Sequence, residues 1–354
     1  MNYRIVEIEA PSRDTAKYSI LIIYTGGTLG MTHDEQGTLQ PFDFGKIIEE
    51  MPVLRSLDLR LTVISFPQPI DSSNIRIDHW NQLAQIIERY YHQHDGFVVL
   101  HGTDTMAYSA SALSFMLEGL CKPVVFTGAQ LPFGTARSDA NQNLVAALQI
   151  ASAHHQEKPV IQEVAIYFDY FLFRGNRCKK VESVHFDAFE SENYPPLAEA
   201  GISIDFDFNV LYRPLSKQHF KAYQIAPTQI ALIKLFPGYD HTVMTHTLET
   251  PGLQAVLLET FGSGNAPTSQ EFKTMLKKAI DQGVIVYNVS QCNGGRVLQG
   301  RYSTSKHLLD MGVLSGADIT TEAALAKLQF LLSTESNSQQ ILAHLSTPLR
   351  GEMA

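Results

Sequence analysis

The sequence predicts an α/β protein with a larger N-terminal domain, built on a mostly parallel sheet covered by helices, and a smaller C-terminal α/β domain. Three observations carry that expectation. Nearly continuous apolar runs alternate with amphipathic stretches along the first half of the chain, the alternation lapses from Phe186 to about Ala226, and it then resumes.

Tyr18-Ser-Ile-Leu-Ile-Ile-Tyr24 has the composition of a strand buried on both faces, and it stops at Gly26-Gly27. Arg60 to Phe66, Gly96 to Leu100, Pro123 to Phe126 and Val164 to Phe168 read the same way. Between them, Asp78 to Tyr91 places Leu83, Ile86, Ile87 and Tyr90 at helical spacing, and Met106 to Leu117 and Asp139 to Ser152 follow the same period. Strand, turn and helix in alternation give a flavodoxin-like sheet with helices on both faces. Asn193-Tyr-Pro-Pro196 is turn chemistry, and Asp205-Phe-Asp-Phe-Asn209 alternates like a strand with no helix after it. Gln229 to Leu235, Ala255 to Leu258 and Val284 to Val289 then read as strands, with Ser269 to Ile280 and Thr321 to Leu332 as helices. The expected division is an N-terminal domain over 1–204, a linker over 205–225 and a C-terminal domain over 226–354. A chain of 354 residues is long enough for two such cores.

Composition removes several functions. A formal net charge of -9 repels phosphate backbones and anionic lipid, so neither nucleic acid nor a membrane is an expected partner. No window approaches the ~20 apolar residues of a spanning helix. Met1 to Ala16 contains Arg4, Glu7, Glu9, Arg13 and Asp14 and no signal-peptide core, which points to the cytoplasm. Cys121, Cys178 and Cys292 are odd in number and widely spaced, which fits reduced thiols and neither a disulfide framework nor a zinc site.

In open parallel sheets, ligands sit beyond the carboxyl ends of the strands. Thr25-Gly-Gly-Thr-Leu-Gly30, His101-Gly-Thr-Asp-Thr105 and Thr127-Gly-Ala-Gln-Leu-Pro132 each follow a buried run. Any one of them is an ordinary strand-to-helix turn. Three converging on one edge describe a pocket for a small polar substrate, with hydroxyls, backbone N–H groups and a carboxylate. The dinucleotide fingerprint fails at Thr25, and the one Gly-Lys pair, Gly45-Lys46, is followed by Ile47, so no phosphate cradle and no nucleotide cofactor is expected. His33, His101 and His185 lack metal-ligand spacing, and no G-x-S-x-G elbow occurs. His101 reads as a packed, hydrogen-bonded strand-end residue. Threonine chemistry remains.

These residues resemble a known family. Tyr24-Thr-Gly-Gly-Thr-Leu-Gly30 and Leu100-His-Gly-Thr-Asp-Thr-Met106 are similar to the two signature segments of bacterial-type L-asparaginases. Gly128-Ala-Gln-Leu-Pro132, Arg174-Gly-Asn-Arg-Cys-Lys-Lys180, Asp71-Ser-Ser73 and Gly262-Ser-Gly-Asn-Ala-Pro267 fit the same family, over about Tyr18 to Glu352. The resemblance, to the cytoplasmic type I branch, implies hydrolysis of L-asparagine to L-aspartate and ammonia through an acyl-threonine, without metal or cofactor, by a homodimer or homotetramer. It implies Thr28 as nucleophile, with Thr103, Asp104 and Lys180 as the second catalytic cluster. Asp71, Ser72, Ser73, Gly102, Thr103, Asp104 and Ala129 would bind substrate, Asp104 pairing with its ammonium, and Asn265 would enter from a neighbouring subunit. A threonine hydroxyl needs a base at neutral pH, which Lys180 would supply through Thr103. Backbone N–H groups near Thr103 and Ala129 would receive the oxyanion. Thr105 is expected to cap the helix at Met106, and Arg137, Ser138, Asp139 and Asn143 to be structural.

Two positions depart from the family pattern. The tyrosine of the loop after the nucleophile is replaced by Thr38 within a candidate lid, Met31 to Gln40, with Tyr24 or a tyrosine from elsewhere in the chain as the candidate substitute. Relatives of this branch carry a second, regulatory asparagine site with an arginine. Here that position is Glu259, a neighbouring threonine is Lys179, and Cys292 is retained, so activation by asparagine through this site is expected to be lost or altered. Alternatives to an asparaginase are a broader glutaminase-asparaginase, the amidase subunit of a tRNA-dependent amidotransferase, or a non-catalytic amino-acid sensor.

Overall fold

The computed structural model describes residues 4–8, 16–33, 39–41, 51–213, 219–300 and 303–354. The chain forms two compact units, Met1–Tyr223 and Gln224–Ala354. The first unit is organised by a nine-stranded sheet. Its strands are β1 (Arg4–Ile8), β2 (Tyr18–Tyr24), β3 (Leu59–Ser65), β4 (Gly96–Leu100), β5 (Val124–Thr127), β6 (Val164–Phe168) and β7 (Phe171–Arg174). A short separate hairpin follows, β8 (Lys179–Lys180) and β9 (Phe189–Glu190), before β10 (Ala198–Ala200) and β11 (Ile204–Phe206) complete the sheet.

Strands β3-β2-β4-β5-β6 lie side by side and parallel. Counted from β2, the order is second, first, third, fourth, fifth, so the topological switch point falls between β2 and β4. Helices α1 (Ile77–Tyr90), α2 (Met106–Met116) and α3 (Ala140–Ser152) connect the parallel strands. Ile20 and Ile22 of β2 share a core with Val98, Leu100, Val125 and Ala165 and with Leu144, Ala147 and Leu148 of α3. Leu21, Ile23 and Val99 face the other way by the two-residue period of a strand and are also fully buried. Burial on both faces is why these strands read as unbroken apolar runs, and each such side chain contributes roughly 1.5–3 kcal/mol.

The antiparallel margin departs from expectation. β7 folds back on β6 through Asp169-Tyr170, both at positive φ (43° and 74°), as a two-residue turn of the primed kind requires. That turn uses neither Asn-Gly nor Asp-Gly, so no local cue announced the return strand. The stretch expected as a linker begins inside this unit: Asp205 belongs to β11 on the sheet edge, and Lys221–Ala222 pairs with Leu117–Glu118.

The second unit carries a parallel four-stranded sheet, β12 (Ile230–Lys234), β13 (Ala255–Thr260), β14 (Ile285–Ser290) and a short β15 (Leu314–Ser315). Its helices include α4 (His241–Leu248), α5 (Gln270–Asp281), α6 (Ser303–Met311), α7 (Thr321–Thr334) and α8 (Ser338–Leu345). The sequence reading missed α4, because His-Thr-Val-Met-Thr-His-Thr-Leu is rich in β-branched residues. The Asp240 side chain caps it by accepting from the Thr242 nitrogen, and Met244 and Leu248 anchor it to the core.

Under α7 lies a fully enclosed ion pair, Lys327 Nζ to Glu352 Oε1 at 2.6 Å. Glu352 also accepts from the Leu349 and Arg350 nitrogens, and Lys327 donates to the Thr347 carbonyl, so the charged groups are compensated. Burial holds the Lys327 ammonium below the ordinary lysine range, with Glu352 pulling it partly back. Glu352→Gln leaves an uncompensated buried cation and is expected to cost about 3–5 kcal/mol in denaturant unfolding. Lys327→Met with Glu352→Leu should recover much of that loss, and an E352Q protein as stable as the parent would contradict this account.

Candidate active site

Backbone bonds and glycine contacts draw four loops together at the carboxyl ends of β2, β4 and β5. The Thr25 nitrogen donates to the Leu100 carbonyl at 3.0 Å, its hydroxyl to the same carbonyl at 2.9 Å, and the His101 nitrogen to the Thr127 carbonyl at 3.0 Å. Past these bonds the loops touch through residues without side chains. A Cβ on Gly27 would stand 2.5 Å from the Gly102 nitrogen, and one on Gly102 would stand 2.6 Å from Ser72 Oγ. A Cβ on Gly26 would collide with the Ile70 backbone, and one on Gly128 would meet the His101 carbonyl at 2.5 Å. Gly26 and Gly27 also hold positive φ, 137° and 89°, which a side chain resists. Thr28, partly exposed, opens the short helical turn Thr28–Gly30 directly beyond this contact.

Three of the predicted catalytic residues form one cluster. Lys180 Nζ donates to Thr103 Oγ1 at 2.8 Å and to Asp104 Oδ1 at 2.6 Å. Lys180 lies on β8, whose pairing with β9 sets it opposite Phe189. Its side chain is 16% exposed against 62% for Asp104, so the amine is shielded while the carboxylate faces outward. The preceding turn is anchored by Arg174, whose Nε donates to Glu163 Oε2 at 2.6 Å in a buried pair and whose guanidinium stacks 4.3 Å from the Tyr194 ring.

The predicted substrate-binding residues line the same edge in different roles. Ser72 is buried and Ala129 sits in the core, so Ala129 presents only backbone to a ligand. The Asp71 carboxylate accepts from the Ser73 nitrogen at 2.9 Å, capping the turn that carries Ser72. Thr105 occupies the cap position of α2, yet its hydroxyl donates to the Ser72 carbonyl at 2.8 Å and does not bond the helix, which corrects the expected side-chain cap. The reason is the close approach at Gly102, which brings the Ser72 segment against this turn and offers its carbonyl to the hydroxyl. Asp139 likewise serves the loop and caps no backbone N–H of its own helix, although it accepts from the Asn143 side chain at 3.1 Å. It accepts from the Gln130 and Leu131 nitrogens at 3.0–3.1 Å, and Asn143 donates to the Gly128 carbonyl at 3.0 Å.

Sequence reasoning missed Gln130. Its Oε1 accepts from Thr103 Oγ1 at 3.3 Å, and its Nε2 donates to the His185 carbonyl at 3.0 Å. No pattern within Gly128 to Pro132 signals a partner 27 residues away. The Tyr24 hydroxyl donates to the Gly30 carbonyl at 2.8 Å and is pushed up by burial. Thr38, and residues 34–37 of the candidate lid, lie outside the described residues.

The remaining candidates belong to the second unit, apart from Lys179 on β8. Glu259, at the end of β13, accepts from Thr321 Oγ1 at 2.6 Å and has Lys234 Nζ 3.5 Å from its other oxygen. Cys292 is exposed, its nitrogen donating to Ser290 Oγ. Asn265 closes a turn with Phe261. Among the described residues no group of histidine, cysteine or carboxylate side chains is arranged to hold a metal.

His101 is buried in a relay. Trp80 Nε1 donates to Ser109 Oγ at 2.9 Å, Ser109 lies 2.9 Å from His101 Nε2, and His101 Nδ1 lies 2.7 Å from the Gly102 carbonyl. A carbonyl only accepts, so Nδ1 carries the proton and Nε2 accepts from Ser109. Burial lowers His101 to about 4, and burial also lowers His94 to about 4. In the unfolded chain both regain the ordinary value of 6.5, so the stability they contribute is intact above pH 6.5 and lost as pH falls toward 4. NMR titration should show two histidine C2–H resonances that do not move above pH 5, and a midpoint near 6.5 for both would refute this environment.

Comparison with known proteins covers both units of the chain. The N-terminal asparaginase model matches residues 19–212 and the glutaminase/asparaginase C-terminal domain model residues 229–345. The chain is 41% identical to L-asparaginase 1 of Escherichia coli (strain K12) over 339 residues, 95% of this chain and 98% of that one. L-asparaginase I from Vibrio cholerae O1 biovar eltor str. N16961 matches with a TM-score of 0.87 and 42% identity, over 96% of this chain and 100% of that one. The thermostable L-asparaginase from Thermococcus kodakarensis matches at 0.86 and 26% identity, over 95% and 99%. With both family models matched in order along the chain, it belongs to the asparaginase family.

Proposed function

We propose that the chain hydrolyses the side-chain amide of L-asparagine to L-aspartate and ammonia in the cytoplasm, as a homodimer or homotetramer with Asn265 closing a neighbour's pocket. The observation that carries this reading is the Lys180–Thr103–Asp104 cluster at the switch point, with the Gly27–Gly102 contact bringing the Thr28 turn to its side.

In this reading the Thr28 hydroxyl adds to the amide carbon and its proton passes to the Thr103–Lys180 pair. The tetrahedral adduct collapses as the amide nitrogen takes a proton and leaves as ammonia, giving an ester on Thr28. Water, deprotonated by the same pair, opens the ester and frees aspartate. Backbone N–H groups at Thr103 and Ala129 receive the developing oxyanion. Ser72 donates to the α-carboxylate and Asp104 accepts from the α-ammonium. That ammonium would compete with Lys180 for one carboxylate, so recognition of the amino acid is tied to the state of the base. Glu259, engaged with Thr321 and beside Lys234, offers an effector carboxylate repulsion, which supports the loss of asparagine activation.

Ammonia release from asparagine, from glutamine and from buffer alone tests the assignment. Asparagine should be turned over along a hyperbolic saturation curve, and no turnover of either amide would leave a sensor. Thr28→Ala, Thr103→Val and Lys180→Met should each lower kcat by roughly 10³-fold or more with the fold intact. Full activity in any one of them refutes that residue's role.

A further inference from the structure

Thr103 has two neighbours in the cluster, and their chemistry fixes where its proton lies. Lys180 Nζ donates and cannot accept while protonated, so it occupies a lone pair of Thr103 Oγ1 at 2.8 Å. Gln130 Nε2 faces the His185 carbonyl at 3.0 Å, which only accepts, so the amide nitrogen belongs on that side and the amide oxygen faces Thr103. An amide oxygen only accepts, so the Thr103 hydrogen points at Gln130. The amide is itself held: its backbone nitrogen donates to Asp139, and its far end is tied to the loop between β8 and β9. One side chain thereby links the threonine to the hairpin that delivers Lys180.

We propose that Gln130 is a positioning residue for the reaction: in the resting cluster, with Lys180 protonated, it takes the Thr103 hydrogen and pins the Thr103 oxygen at Lys180, so that once the amine has lost its proton the hydroxyl needs only to turn its hydrogen onto Nζ to relay one from Thr28 or water. This rests on the reading of Thr103 and Lys180 given above. Freed from Gln130, the Thr103 side chain rotates among its staggered positions, and its oxygen stands at Lys180 only part of the time. Substrate recognition by Ser72 and Asp104 is untouched, so the effect falls on turnover and not on binding.

Gln130→Met, similar in length and without polar atoms, should lower kcat roughly tenfold while KM for asparagine stays within about twofold, since one well-placed hydrogen bond is worth about that factor. Gln130→Glu restores an oxygen acceptor facing Thr103 and should recover part of the lost kcat. Thermal midpoints measured on both variants guard against a merely structural effect. Wild-type kcat in Q130M overturns the proposal, as does a rise in KM matching the fall in kcat, or a Q130E enzyme no better than Q130M. If Q130M does not fold, Q130E alone decides: kcat within about threefold of the parent supports the proposal and a loss beyond tenfold overturns it. Thr103→Val, measured beside them, separates the two levels. An active T103V sinks the reading of the site itself, whereas an inactive T103V with fully active Q130M sinks only the role of Gln130.

Discussion

The constraint on which the site depends is the meeting of two backbones at Gly27 and Gly102. With 2.5 Å available where a Cβ on Gly27 would be, nothing larger than hydrogen fits, and the loops after β2 and β4 are held in contact. Ser72 packs on the other side of Gly102, and Gly128 against the His101 carbonyl, so four loops converge through absent side chains. Thr28, Thr103, Asp104 and Ser72 are neighbours because of that contact. Loops alone do not fix such positions; the fully buried parallel strands behind them do.

Lys180 reaches the cluster by a different route. It comes from a short hairpin outside the main sheet, and the preceding turn is fixed by the buried Arg174–Glu163 pair. Removing either charge leaves the other unpaired in the interior, so this turn is firmly set. A shielded amine against a threonine hydroxyl, with a carboxylate open to solvent beside it, is an arrangement suited to moving protons at one end of a ligand and holding a cation at the other.

Much of this was legible in the sequence. The parallel strands announce themselves because both faces are buried, and the switch-point rule converts their order into a location for the site. The Lys-Lys pair at 179–180 carries no local sign of chemistry, and only its family motif marked it. What stayed hidden was long-range. Asp139 bonds nitrogens eight and nine residues back, Thr105 bonds Ser72 across 33 residues, and Gln130 meets Thr103 across 27. Each of these side chains has an ordinary local use, as helix cap or loop residue, that tertiary geometry overrides. β7 was hidden by its turn, since Asp169-Tyr170 adopts a conformation that sequence patterns assign to Asn-Gly or Asp-Gly.

The central claim is that Thr28, Thr103 and Lys180 serve one bound amino acid. A crystal structure of the protein with L-aspartate tests it most directly. The account predicts the side-chain carboxylate between the hydroxyls of Thr28 and Thr103, the ammonium on Asp104 and the α-carboxylate at Ser72. Aspartate seated elsewhere, or seated here with Lys180 turned away from Thr103, would contradict it.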